Sequence, residues 1–223
     1  MTNDFAVIFD MDGVLVDNNK YHNIAWLEFC KRKNFKISVE DITSRFGNLN
    51  DEYFKFLYGK QLPKEESDRL GEEKEAIYRE IYANDIQPAE GLIPLLKDLK
   101  KQGFRIGVAT SANQNNLDFV LDKTQIRAFF DVLVDSSMVS KGKPDPEVFL
   151  KAAGLLNIPA SRCLVFEDSV HGVDAACNAN MKVIALTTTF KADKLKAATR
   201  IIKGFPEIGT ETNIDIIKSK KTA

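Results

Sequence analysis

Two acidic pairs stand out along the chain of 223 residues: Asp10 and Asp12 in Phe9-Asp10-Met11-Asp12-Gly13, and Glu167 and Asp168 in Phe166-Glu167-Asp168-Ser169. Gathered carboxylates repel, by roughly 3 kcal/mol for a pair about 5 Å apart at an effective dielectric of about 20, so such a set needs protons or a cation. Hard carboxylate oxygens without His or Cys favour Mg²⁺, which keeps some waters and accepts phosphate oxygens. Thr110 and Ser111 offer hydroxyl donors, and Lys143, in Ser140-Lys141-Gly142-Lys143-Pro144-Asp145-Pro146, offers a positive charge. Donors opposite a cation suit a phosphoryl group in flight. A carboxylate can also act as the covalent nucleophile. Taken singly, each piece has a plainer reading. Asp-x-Asp-Gly is a common turn, Thr110-Ser111 and Glu167-Asp168 would serve as helix caps, and Lys143 would pass as a surface lysine. An EF-hand is excluded because no later carboxylates fall at its spacing.

The elements that must position these residues decide between the readings. Five short apolar runs recur: Phe5–Phe9, Phe104–Ala109, Val132–Val134, Cys163–Phe166 and Lys182–Leu186. They are rich in β-branched and aromatic residues and do not alternate, as expected of strands covered on both faces. Helical stripes lie between them, Leu92, Leu95, Leu96 and Leu99 closing at Gly103, and Val148, Phe149, Ala152, Ala153 and Leu156 opening behind Pro146. The alternation predicts an α/β fold, a doubly wound parallel sheet. Sites in such sheets form at the carboxyl ends of strands. Four strand ends would bring the acids, the hydroxyls and the lysine to one edge.

One interval breaks the rhythm. Between Phe9 and Phe104 runs more chain than a single crossover needs, and it reads as helix. Tyr21, Ile24, Ala25 and Glu28 begin one pattern, and Ser38-x-x-Asp41 resembles a capping box for a second. Tyr53, Phe54 and Leu57 suggest a third, and Leu70, Lys74, Ile77 and Ile81 share the face of a fourth. The expected organisation is an α/β core of residues 1–17 and 88–223 with an all-helical cap, residues 18–87, inserted after the first strand.

Hydrophobic residues make up 44% of the chain and charged residues 28%, the balance of a globular protein with a real core. Lys and Arg number 31 against 32 Asp and Glu, so nothing electrostatic recommends a nucleic acid or a membrane surface as partner. Cys30, Cys163 and Cys177 are odd in number and widely spaced, which fits neither a disulfide framework nor a CxxC metal knuckle. Met1–Asp4 lacks a basic leader and no run approaches a membrane span, so a cytoplasmic monomer is expected. Lys218–Ala223 is expected to fray.

With these motifs in place the chain resembles the haloacid-dehalogenase superfamily over essentially its whole length. The resemblance is carried by Phe9-Asp10-Met11-Asp12-Gly13-Val14, Val108-Ala109-Thr110-Ser111, Lys143-Pro144-Asp145-Pro146 and Val165-Phe166-Glu167-Asp168-Ser169. The helical insertion is similar to the cap of the subgroup containing β-phosphoglucomutases and small sugar-phosphate phosphatases. The resemblance implies that Asp10 attacks phosphorus and that Asp12 protonates the leaving oxygen, then deprotonates the hydrolytic water. It implies that Asp10, Asp168 and the backbone carbonyl of Asp12 hold Mg²⁺, with Glu167 as a ligand or a partner behind the ligands. Thr110, Ser111 and Lys143 would hold the phosphoryl oxygens. An acid at Asp12 disfavours carbon–halogen cleavage.

The cap separates finer readings. His22 and Trp26 stand where β-phosphoglucomutases carry a His and a Trp, and Lys74 falls near their substrate-reading lysine. Around Gly47 and Asn50, however, the sequence Phe46-Gly47-Asn48-Leu49-Asn50-Asp51 lacks the arginine that grips a second phosphate, and Ala112-Asn113 replaces a Ser-Lys pair. A mutase must hold two phosphates, whereas hydrolysis needs one phosphate site and a water. The expectation is therefore a Mg²⁺-dependent phosphatase acting on a small phosphorylated metabolite. A phosphosugar mutase is the alternative and a non-enzymatic binding module the remote one.

Overall fold

The computed structural model describes residues 4–43, 50–208 and 215. Six strands form one sheet in the order β3-β2-β1-β4-β5-β6, with every pairing parallel. They are β1 (Ala6–Phe9), β2 (Arg105–Ala109), β3 (Val132–Val134), β4 (Cys163–Glu167), β5 (Lys182–Leu186) and β6 (Arg200–Ile202). β1 is buried at every residue, as a central strand covered on both faces must be. Five runs were expected, and the described residues hold six strands. β6 escaped because its three residues begin with the exposed Arg200 and follow no apolar run.

Chain order sends β2 and β3 to one side of β1, and β4, β5 and β6 to the other. The reversal lies between β1 and β4, where doubly wound sheets open a crevice. Register then sets the chemistry. Phe9 pairs with Phe166, and their rings stack 4.9 Å apart at 9°. One residue further along, Asp10 and Glu167 leave the two strands at the same level, and the Asp10 N–H still donates to the Phe166 carbonyl at 2.9 Å. Residues at one level of neighbouring parallel strands share a face, so the two carboxylates emerge side by side.

Helices α5 (Leu92–Lys101) and α7 (Glu147–Leu156) follow the two expected stripes, with Leu92, Leu95, Leu96 and Leu99 of α5 and Val148, Phe149, Ala152, Ala153 and Leu156 of α7 all buried; α6 (Gln114–Lys123) and α8 (Val170–Asn178) join them in the same unit. Gly103 closes the α5 segment at φ 76°, a left-handed conformation natural to glycine.

The chain divides into two compact units, residues 1–17 with 87–223, and residues 18–86. The second contains α1 (Asn19–Arg32), α2 (Val39–Thr43), α3 (Asn50–Tyr58) and α4 (Lys64–Tyr82). Ser38 and Asp41 form the reciprocal capping box at the head of α2, with Ser38 N–H donating to Asp41 Oδ2 and Asp41 N–H to Ser38 Oγ, both at 3.0 Å. One stripe was misread. Ile24 is 45% exposed, and α1 instead buries Tyr21, Ala25, Trp26, Phe29 and Cys30, because the Trp26–Phe29–Phe54 aromatic packing sets its inner face. Among the described residues no helix is long and apolar enough to cross a membrane.

Candidate active site

Asp10, Glu167 and Asp168 are buried together, each offering an oxygen within 4.8 Å of the others. Lys143 enters from the loop before α7, its side chain 8% exposed, and its ammonium donates to Asp10 Oδ1 at 2.6 Å and Glu167 Oε1 at 2.7 Å. The Phe149 ring lies beneath that ammonium, 4.9 Å from its centroid. The loop itself is pinned by Glu147, which accepts from the N–H groups of Ser140 and Lys141.

Glu167 also carries hydrogen bonds on both oxygens. Its Oε2 accepts the N–H groups of Asp168 and Ser169, each at 2.6 Å, at the mouth of α8. Gly172 gives it that seat, since a Cβ there would overlap the Glu167 carboxylate. Ser169 caps the helix through Gly172 N–H. The acid pair thus shares its work: the helix-end reading holds for Glu167, while Asp168 turns to the cluster and accepts from the Thr189 hydroxyl.

Three carboxylates against one ammonium leave the cluster short of positive charge. Burial, opposed by Lys143, pushes Asp10 up to about 7, with Glu167 and Asp12 adding to the rise. Burial, then Glu167 and Asp10, likewise raise Asp168 well above the carboxylate range. Burial works against the Lys143 charge, yet Asp10 and Glu167 outweigh it and hold that ammonium above its ordinary value. A divalent cation fits this set on two counts: every donor is a hard oxygen, and the missing charge is positive.

The remaining sheet-end residues are placed unevenly. Asp12 is half-buried in the turn after β1, bridged to Val16. Thr110 is buried at the end of β2, its Oγ1 accepting from Ala112 N–H at 3.0 Å. Ser111 is exposed. The helix cap read at Thr110-Ser111 belongs instead to Asn113, whose side chain accepts from Asn116 N–H at 2.9 Å. His171 is exposed on α8.

The helical unit gathers His22, Trp26, Asn50 and Lys74. Lys74 is 2% exposed, and its ammonium donates to Glu75 Oε1 at 3.0 Å and to His22 Nδ1 at 2.9 Å. Asn18 Nδ2 lies 3.4 Å from the other ring nitrogen, His22 Nε2. Trp26 lies 5.2 Å from the same ammonium, Tyr78 stacks on His22 at 3.9 Å, and Asn50 donates to Glu75 at 3.2 Å. Gly47 lies outside the described residues, as does the C-terminal segment expected to fray.

Thr188 and Thr189 were missed. They follow β5, and the rule that drew attention to four strand ends applies equally to the fifth.

A profile of the haloacid dehalogenase-like hydrolases matches residues 7–186. The chain belongs to that family. It is 30% identical over 184 residues to the "Phosphorylated carbohydrates phosphatase" of Thermotoga maritima, covering 80% of this chain and 83% of that protein. It is 28% identical over 191 residues to the β-phosphoglucomutase of Bacillus subtilis, 81% and 82% covered. It also matches 19% of the length of "Protein SUPPRESSOR OF QUENCHING 1, chloroplastic" from Arabidopsis thaliana, at 33% identity over 203 residues and 86% of this chain. A crystal structure of a family IA, variant 3 hydrolase from Entamoeba histolytica superposes with a TM-score of 0.90 at 30% identity, covering 96% of this chain and all 100% of that one. The family's α/β fold is the one seen here.

Proposed function

We propose that the protein is a Mg²⁺-dependent phosphatase of a small phosphorylated metabolite, working through an aspartyl phosphate. The observation that carries this reading is the buried Asp10 carboxylate at the end of β1, held through one oxygen by Lys143 and set beside Asp168. In the first step an Asp10 oxygen bonds to phosphorus as the ester P–O bond breaks, and the leaving oxygen takes a proton from Asp12. In the second, Asp12 takes a proton from water, whose oxygen bonds to phosphorus as the Asp10–phosphorus bond breaks and phosphate departs. Lys143 and the Thr110 hydroxyl are suited to the phosphoryl oxygens. Asp10, Asp168 and the Asp12 main chain would hold Mg²⁺, with Glu167 orienting Lys143 behind them. The ion would supply the positive charge that lets the acids stay ionised while phosphoryl charge spreads.

Hydrolysis is favoured over mutase action by two features. The sequence lacks a cation after Gly47, and Lys74 is already paired with Glu75. Neither offers an uncommitted charge for a second phosphate. The likeness to β-phosphoglucomutase keeps the mutase as the competing reading. A screen of phosphorylated metabolites, measuring free phosphate with Mg²⁺ and with excess chelator, tests the proposal. Mg²⁺-dependent phosphate release lost in Asp10→Asn is the expected result. Isomerised product without free phosphate, requiring a bisphosphate activator, would establish the mutase instead.

A further inference from the structure

The chain leaves β5 through three successive threonines, Thr187, Thr188 and Thr189. Thr187 N–H still donates to Ile202 of β6, at 3.0 Å, so the loop begins from a fixed point. The next two residues reach toward β1 and β4. Thr188 Oγ1 donates to the Gly13 carbonyl at 2.6 Å, and Thr189 Oγ1 donates to Asp168 Oδ2. Gly13 lies between them at φ 73°, where a Cβ would approach Thr189 Oγ1 to 3.0 Å and overlap the Asp168 carboxylate. The turn carrying Asp12, the end of β4 and the loop after β5 therefore meet without room for one methyl group. A carboxylate rotates broadly about its last torsion unless something fixes it. Here one oxygen is tied to a hydroxyl, which sets the direction of the other.

We propose that Thr189 and Thr188 are positioning residues, Thr189 fixing the Asp168 carboxylate for a divalent cation and Thr188 registering the Asp12-Gly13 turn against it. The proposal rests on the reading of Asp10 and Asp168 as Mg²⁺ ligands. Partners behind a metal ligand are commonly worth about 10- to 100-fold in metal affinity. Thr189→Val keeps the side-chain shape and removes the donor; Thr189→Ser keeps the donor and removes a methyl group.

The test is calorimetric titration of the metal-free full chain with Mg²⁺, alongside the rise in melting temperature that Mg²⁺ produces. Neither readout requires turnover. Thr189→Val is expected to weaken Mg²⁺ binding about tenfold or more, with Thr189→Ser restoring most of it. Thr188→Val should weaken binding by a smaller factor, because it acts through the backbone turn. Should Thr189→Val fold poorly, Thr189→Ala against Thr189→Ser gives the same contrast. Equal Mg²⁺ binding by Thr189→Val and the parent protein would overturn the clamp while leaving the metal reading intact. Absence of Mg²⁺ binding by the parent would overturn both.

Discussion

Among the described residues, Lys74 and Lys143 each have a largely buried side chain in closely similar surroundings, one in each unit. Lys143 lies over the Phe149 ring and donates to Asp10 and Glu167; Lys74 lies near the Trp26 ring and donates to Glu75 and His22. What separates them is charge balance. Around Lys74 one carboxylate, Glu75, meets one ammonium, and His22 and Asn50 complete the hydrogen bonding. Around Lys143 three carboxylates meet one ammonium, and burial drives Asp10 and Asp168 toward protonation. A balanced buried pair is a structural element whose worth shows when one partner is removed. An unbalanced one leaves negative charge that a bound cation would offset. Buried lysines of equal rarity thus point to different jobs, and the count of facing acids tells them apart.

The largest effect that would test this contrast is at Asp10. Asp10→Asn should lower phosphate release by at least about 10³-fold, since it removes the covalent route. The same change takes one negative charge out of an over-supplied cluster, so the metal-free melting temperature should hold or rise. Activity near the parent level would refute the mechanism, and a large loss of metal-free stability would refute the charge imbalance. Next in size is Lys143→Ala, expected to depress turnover about 100-fold on every phosphate ester, because the phosphoryl group it is proposed to hold is common to all of them. A loss confined to some substrates would show that Lys143 reads the leaving group.

The sheet-end cluster was legible because its acids sit at strand ends, and strands buried on both faces announce themselves as apolar runs. Asp10, Thr110 and Glu167 fall one residue beyond a run or at its close, and counting along the chain finds them. Lys143 was legible only as part of a set. Its loop lies away from any strand, and what folds it back is the Glu147 grip on Ser140 and Lys141, which no periodicity reports. Thr188 and Thr189 went unread for a different reason: hydroxyl residues after a strand look like any turn until register shows what they face. In the helical unit the stripe through Ile24 misled, since aromatic packing around Trp26 rather than aliphatic spacing chose the buried face. Lys74 was read for its likeness to a substrate-reading lysine, and spacing said nothing of what it pairs with. Its neighbour in sequence, Glu75, is its partner in space.

A smaller effect follows from the raised carboxyl of Asp10. Its folded-state value, about 7, lies above the ordinary 3.8. Between those values the folded, metal-free protein binds more protons than the unfolded chain, so stability falls as pH rises through that window. Melting temperature in excess chelator should drop by several degrees from pH 5 to pH 7.5, and saturating Mg²⁺ should flatten the profile. A metal-free melting temperature that climbs over that range would mean that the cluster is adequately neutralised by Lys143 alone.

The finest test concerns the balanced pair. Lys74→Met leaves Glu75 buried without its ammonium, and Glu75→Gln leaves Lys74 buried without its carboxylate. Each single change should destabilise the protein, by an amount on the order of 3 kcal/mol for a pair this well enclosed. The double variant replaces both charges with neutral groups of similar length, so its loss should be smaller than the sum of the two singles. A coupling energy of about 1–3 kcal/mol from the four denaturation curves is expected, since the residues touch directly. The same cycle at Lys143 and Asp10, run without metal, should give a different pattern: Asp10→Asn alone costs little, because Glu167 still accepts from the lysine at 2.7 Å. If both cycles return the same singles and the same coupling, charge balance does not distinguish the two lysines, and Lys143 would be as structural as Lys74.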